Sequence, residues 1–88
     1  MVQRTFTLKN DSGLHARPAS LFVQTVQGFA GTEVRLRKAE REVNARSLLS
    51  VLSLGAAADS DITVTCEGSR EAEAMEALAA LVAGNFGE

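Results

Sequence analysis

Asp61-Ile62-Thr63-Val64-Thr65-Cys66 contains the clearest strand in the chain, because Ile62, Val64 and Cys66 alternate with Thr63 and Thr65 at the two-residue period of a strand with one buried face. Gly68 and Ser69 turn this strand into a segment of helical period. There Ala74, Leu78, Leu81 and Val82 share one apolar face, and Glu71, Glu73 and Glu76 put negative charge in the first turns, where the helix dipole favours it. On the other side of the strand, Ser47 precedes Leu48, Leu49, Val51, Leu52 and Leu54, and Gly55 follows, which predicts a short helix between a serine N-cap and a glycine just past its end. Further back, Val34 and Leu36 alternate with Glu33, Arg35 and Arg37, and a shorter segment ends at Val43, so these two read as a hairpin. Ala19, Phe22, Val23 and Val26 have the spacing of a helix face closed by Gly28 and Gly31. Val2, Phe6 and Leu8 alternate with Gln3, Thr5 and Thr7 in a first strand broken only by Arg4. The order is strand, helix, hairpin, helix, strand, helix. One-faced helices and one-faced strands pack most simply as a helical layer over one side of a sheet, an α+β class. The order of strands within that sheet cannot be read from these patterns.

At 88 residues the chain is shorter than the usual domain of about 100–150 residues, and one domain over residues 1–88 is expected. Such a domain buries only about two-thirds of its unfolded surface and has little interior to hollow into a pocket, so any chemistry is expected at the surface. The composition, 45% hydrophobic with one proline, is that of a folded domain. Nine Lys and Arg against eleven Asp and Glu give a net charge of −2, and no stretch combines basic residues with aromatics, which argues against nucleic acid as a partner. The apolar runs around residues 48–54 and 77–83 fall short of the ~20 residues that span a bilayer, so no membrane insertion is expected. Arg4, Lys9, Asn10 and Asp11 interrupt the N-terminus, which does not read as an export signal. Cys66 has no second cysteine to bond, and one histidine cannot build a zinc cluster within one chain. No metal or cofactor is expected, and the cytoplasm is the expected compartment.

Gly13-Leu14-His15-Ala16-Arg17-Pro18-Ala19-Ser20 gathers the only histidine, an arginine and the only proline at the mouth of the first helix. The first turn of a helix leaves N–H groups without intrahelical partners and carries partial positive charge, so it attracts anions, phosphate in particular. Pro18 tolerates that turn, since its missing N–H would have had no partner there. A residue before proline is pushed away from helical angles, which makes Arg17 a candidate for the last non-helical residue. A neutral imidazole at this position can attack phosphorus through a ring nitrogen, after which the Ala16 and Arg17 N–H groups and the Arg17 guanidinium would surround the phosphoryl oxygens. The plainer reading makes His15 a helix cap and Arg17 a solvated charge.

His15-Ala16-Arg17-Pro18-Ala19-Ser20, preceded by Asp11-Ser12-Gly13-Leu14 after an N-terminal strand, resembles the active-site signature of HPr, the phosphocarrier of the bacterial phosphoenolpyruvate sugar phosphotransferase system. Val23-Gln24-Thr25, Val43-Asn44, Ser47, Val51-Leu52-Ser53-Leu54-Gly55 and Asp61-Ile62-Thr63 also resemble family positions, so nearly the whole chain is covered. The resemblance implies an open-faced sandwich: a four-stranded antiparallel sheet of order 1-4-2-3 with three helices on one face. It implies a monomeric carrier rather than an enzyme in the strict sense. His15 would be phosphorylated on Nδ1 by enzyme I, itself charged from phosphoenolpyruvate, and would donate to sugar-specific enzyme II A domains, with Arg17 assisting phosphate. It implies Ser47 as a regulatory site for an HPr kinase/phosphorylase, and Ser20, Gln24, Leu48, Leu49 and Leu52 as partner-docking residues.

Some positions depart from that pattern. Arg37-Lys38-Ala39-Glu40-Arg41-Glu42 lacks the Asn-Gly turn common in the family and reads as one residue longer, Ser50 stands where many relatives have glycine, and Arg46 where many have lysine. Leu48, Leu49 and Leu52 are too many apolar residues for one short helix to bury. With Val51 and Leu54 as its inward stripe, Leu48 and Leu49 are expected to be free for docking. Phe29 and Phe86 read as core closures, Asp11 and Glu33 as ordinary solvated acids. Three other functions are open at this point: a sibling HPr of a nitrogen or regulatory branch, a binding module recognised through Leu48, and a small enzyme with His15 as general base. The second has no need of His15, and the third lacks an evident second catalytic group.

Overall fold

The structure is a computed structural model that describes residues 1–87. In chain order it forms β1 (Val2–Thr7), α1 (Ala16–Gln27), β2 (Thr32–Lys38), β3 (Arg41–Asn44), α2 (Leu48–Ser53), β4 (Asp61–Gly68) and α3 (Glu71–Ala83), followed by a 3-10 turn at Asn85–Gly87. The sheet is antiparallel with strand order β1-β4-β2-β3. That is the 1-4-2-3 open-faced sandwich the resemblance implied, with three helices.

Alternation decides which side of the sheet is covered. Ile62, Val64 and Cys66 of β4 are buried together with Val34 and Leu36 of β2, while Glu33, Arg35, Arg37 and Glu67 stay exposed. Against the buried face α1 sets Ala19, Phe22, Val23 and Val26, the four residues its period selected. In α3 the buried residues are Ala74, Met75, Leu78 and Val82; Leu81, expected among them, is only half-buried, and Met75, missed by that expectation, takes a full core place. Each large aliphatic side chain removed from water here contributes roughly 1.5–3 kcal/mol before entropy is charged against it.

Three further expectations change. α1 begins at Ala16, so Arg17 lies inside the helix despite the proline after it, and Pro18 is the third helical residue. The β2–β3 hairpin pairs Lys38 with Arg41 and closes through Ala39 and Glu40 alone, so the extra turn residue is absent. Ala39 supplies the positive φ of 55° that a two-residue hairpin turn needs, in place of glycine or asparagine. Phe86 closes the core at 2% exposure, but Phe29 is half-buried and lies under the Arg70 guanidinium, 4.7 Å from the ring centre.

Candidate functional site at the start of the first helix

The loop before α1 is tied down so that His15 is presented rather than left to wander. The Gly13 N–H donates to the Asn10 carbonyl at 3.4 Å, the buried Asn10 side chain donates back to the Gly13 carbonyl at 2.9 Å, and the Leu14 N–H donates to the Ala56 carbonyl at 2.8 Å. Leu14 then drops into the core, which fixes the next residue at the surface. Gly13 has φ +63°, and a Cβ there would run into the Ala56 carbonyl oxygen and the Ala57 backbone, so the close approach that seats the loop needs glycine. Asn10 escaped the sequence reading as more than a strand stop, although an Asn three residues before a Gly is a local signal for a side-chain-closed turn.

His15 occupies the N-cap position with extended backbone (φ −105°, ψ 176°), is exposed, and makes no side-chain capping bond, so the plainer reading of it as a cap holds for its place in the helix and not for its side chain. The first ladder bond of α1 runs from the Ala19 N–H to the His15 carbonyl at 3.0 Å. The N–H groups of Ala16 and Arg17 therefore lie ahead of the ladder, Pro18 has none, and no acidic residue occupies the first turn. The structure thus brings an exposed imidazole, two leading N–H groups and the exposed Arg17 side chain to one helix end. The one thiol among the described residues, Cys66, is buried in the sheet, and burial pushes its pKa up, which leaves it no role as a competing nucleophile.

The remaining expected residues lie on α1 and α2, which are in contact. Ala16, Ser20 and Gln24 follow one another at four-residue spacing on one face of α1, and Gln24 Nε2 donates to Ser20 Oγ at 3.3 Å. In α2 Val51 is buried, as is Leu54 at the helix end, whereas Leu48 is 40% and Leu49 80% exposed; Leu52 is half-buried against the core. Leu49 is thus excluded from the core outright. Ser47 is the N-cap of α2, its Oγ accepting the Ser50 N–H at 3.3 Å. Arg46 beside it is held through Nη2, which donates to the carbonyls of Phe29 at 2.6 Å and Thr32 at 2.7 Å, tying the Ser47 segment to the connection between α1 and β2. Glu33 pairs with Arg35 at 2.6 Å on the exposed sheet face. No helix among the described residues is long and apolar enough to cross a membrane.

This arrangement has close counterparts. The family model described as "PTS HPr component phosphorylation site" matches residues 2–84. A curated relative, the phosphocarrier protein HPr of Cupriavidus necator, is 40% identical over 88 residues, covering 100% of this chain and 98% of its own length. The HPr-like protein Crh of Halalkalibacterium halodurans is 43% identical over 82 residues, 93% of this chain and 96% of that protein. Among solved structures, HPr of Thermoanaerobacter tengcongensis superposes with a TM-score of 0.96 at 41% identity, over 100% of this chain and 98% of that one. With the fold, the strand order and the match along nearly its whole length in agreement, the chain belongs to the HPr family, the phosphocarriers of the phosphotransferase system.

Proposed function

We propose that His15 is the residue that carries the phosphoryl group, received from enzyme I charged by phosphoenolpyruvate and passed to the A domains of sugar-specific enzyme II. The observation that carries this reading is the uncapped, acid-free start of α1 with an exposed imidazole on it. In the forward step an imidazole nitrogen of His15 attacks the phosphorus on charged enzyme I; the new N–P bond forms as the bond between phosphorus and its carrier group on enzyme I breaks, and the phosphoryl group changes owner without release to water. The leading N–H groups of Ala16 and Arg17 and the Arg17 guanidinium offset the charge on the phosphoryl oxygens. Because the site is open, those donors stay hydrated and few, which keeps the phosphoryl group transferable rather than trapped.

Leu48, Leu49 and the exposed edge of Leu52, with Ser20 and Gln24 on the neighbouring helix, form the docking surface in this reading, a small apolar centre with a polar rim. Ser47 is its control point: a phosphate there adds about −1.5 to −2 charge at the start of α2, which the helix tolerates, beside Leu48 and Leu49, where a partner must desolvate it. An HPr kinase/phosphorylase would be the enzyme acting on it. The chain works in the cytoplasm, where phosphoenolpyruvate is available, and a monomer suffices because His15 and its donors come from one chain. An HPr dimer of Thermoanaerobacter tengcongensis, 41% identical with a TM-score of 0.80, makes the oligomeric state worth measuring by sedimentation alongside activity.

The deciding experiment is incubation with enzyme I and phosphoenolpyruvate followed by intact-mass measurement. The wild type should gain one phosphoryl group, labile in acid and stable in base, and His15→Ala should stay folded and gain none. Charging of that variant at the normal rate would remove His15 from the mechanism.

A further inference from the structure

α2 is six residues long, too short to persist in water on its own, and within it only Val51 is buried. No basic residue lies in its last turn. Its terminal carbonyl groups are nevertheless all engaged. Ser50 O accepts from Ser53 Oγ at 2.6 Å, Val51 O from the Leu54 N–H at 3.2 Å, and Leu52 O from the Gly55 N–H at 3.1 Å. The Ser53 carbonyl accepts from Arg41 Nη1 at 2.7 Å, while Arg41 Nη2 donates to Ser53 Oγ at 3.2 Å. The Gly55 carbonyl accepts from Lys38 Nζ at 3.3 Å. The two cations that α2 lacks thus come from the β2–β3 hairpin, where Lys38 and Arg41 sit opposite each other across the two-residue turn. Both meet the negative end of the helix dipole. One residue further on, the Ala56 carbonyl is the seat of the Leu14 N–H, next to His15.

We propose that Arg41, assisted by Lys38, is a positioning residue: it pins the end of α2 and the segment after it, and so holds the Leu48–Leu49 surface and the His15 loop in one fixed arrangement. The hydrogen bonds of Arg41 go to Ser53, not to His15, Leu48 or Leu49. It acts through Ser53, and Lys38 through Gly55, the residue joined to the anchor of the His15 loop. The consequence for transfer rests on the phosphocarrier reading, whereas the consequence for local order does not. Without the clamp, the carbonyl end of α2 has only its own chain and water to satisfy it, and the helix frays toward the loop that seats Leu14.

Two measurements on Arg41→Ala and Arg41→Lys test this. In native-state hydrogen exchange, Arg41→Ala should speed the amides of Leu54, Gly55 and Leu14 by roughly five- to tenfold, the scale of one lost hydrogen bond of ordinary net strength at an exposed site, and the Val64 amide in the central strand by clearly less. In charging by enzyme I, the same variant should raise KM several-fold and lower kcat by less, because the surface and the His15 loop lose their fixed arrangement before docking, while the imidazole that reacts once docked is intact. Arg41→Lys, which keeps a donor for the Ser53 carbonyl but loses the forked geometry, should recover part of both effects. Equal acceleration at Leu14, Leu54, Gly55 and Val64 would mean a global stability loss, and it would overturn the proposal, as would no acceleration at all. Wild-type KM in a variant whose exchange has changed would overturn the link to docking. If the wild-type protein were not charged by enzyme I, the phosphocarrier reading would fall, and the exchange data would still decide whether Arg41 holds α2.

Discussion

α1 and α3 are twelve and thirteen residues long, yet they begin in opposite ways. α3 answers its own N-terminal charge: Glu71 and Glu73 stand in the first turn, and the Glu71 carboxylate accepts the Gly68 N–H at 3.2 Å and pairs with the Met1 ammonium at 2.8 Å. Those bonds hold the Glu71 carboxyl below its ordinary range and push the amine up. α1 has no first-turn acid and no side-chain cap, only an exposed histidine at the position where a cap would sit. α2 lies between the two, closed by the Ser47 hydroxyl alone. A helix start satisfied from within is structure, and one left open is available to an anion that arrives from outside. The sequence supplies acids where the end is meant to be closed and withholds them where chemistry is proposed.

The contrast can be broken most severely at Gly13, because the open helix start depends on the loop that presents it. Gly13→Ala should lose about 2–4 kcal/mol, since backbone atoms of Ala56 and Ala57 must give way and the φ is unfavourable to a Cβ. Thermal or urea unfolding measures this, and a loss below about 0.5 kcal/mol would mean the loop seats equally well without the close approach.

Arg17 tests the electrostatics directly. Arg17→Ala should slow phosphotransfer by about tenfold, and Arg17→Glu, which gives α1 the kind of first-turn acid that α3 has, by about a hundredfold or more. Both should leave the melting temperature nearly unchanged, because the side chain is exposed. Equal rates for the two variants would show that only a contact is lost and that the charge at the helix start is irrelevant.

At Ser47 the two roles of a helix start separate. Ser47→Ala should cost about 1 kcal/mol through the lost cap, whereas Ser47→Asp, an equally good cap, should keep stability and slow charging by enzyme I. Unchanged charging in Ser47→Asp would leave this serine as a cap only.

The smallest effect belongs to α3. Glu71→Gln should destabilise slightly at neutral pH. Because the native Glu71 carboxyl is held down, its contribution is present above its unfolded pKa and is lost as the pH falls through the folded one. Stability curves of wild type and variant should therefore converge in acid, and parallel curves would show that the carboxylate contributes nothing.

Much of this was legible in the sequence, and the parts that were share a cause. The period of Ile62, Val64 and Cys66, the stripe of Ala19, Phe22, Val23 and Val26, the Ser47 cap and the His15 segment are all contained in a few consecutive residues, so local sterics, capping and dipole physics suffice to read them. Periodicity says which face of a strand is buried, not which strand lies beside it, so the order β1-β4-β2-β3 came only from resemblance and then from the structure. Arg17 entered the helix although it precedes a proline, since Pro18 lies in the first turn and forfeits no ladder bond there. In α3 Met75 is buried while Leu81 packs half-buried at the edge of the core, because the elements packed against a helix, and not its period alone, decide which residues it buries. Arg41 looks like an ordinary hairpin cation until α2 is laid beside it. Its partner Ser53 is 12 residues away in the chain, and no local rule couples them. What the sequence determined by itself is where an imidazole stands at an open helix start; only the tertiary structure decided what holds that helix start and its neighbouring surface in place, since that depends on contacts between segments distant in the chain.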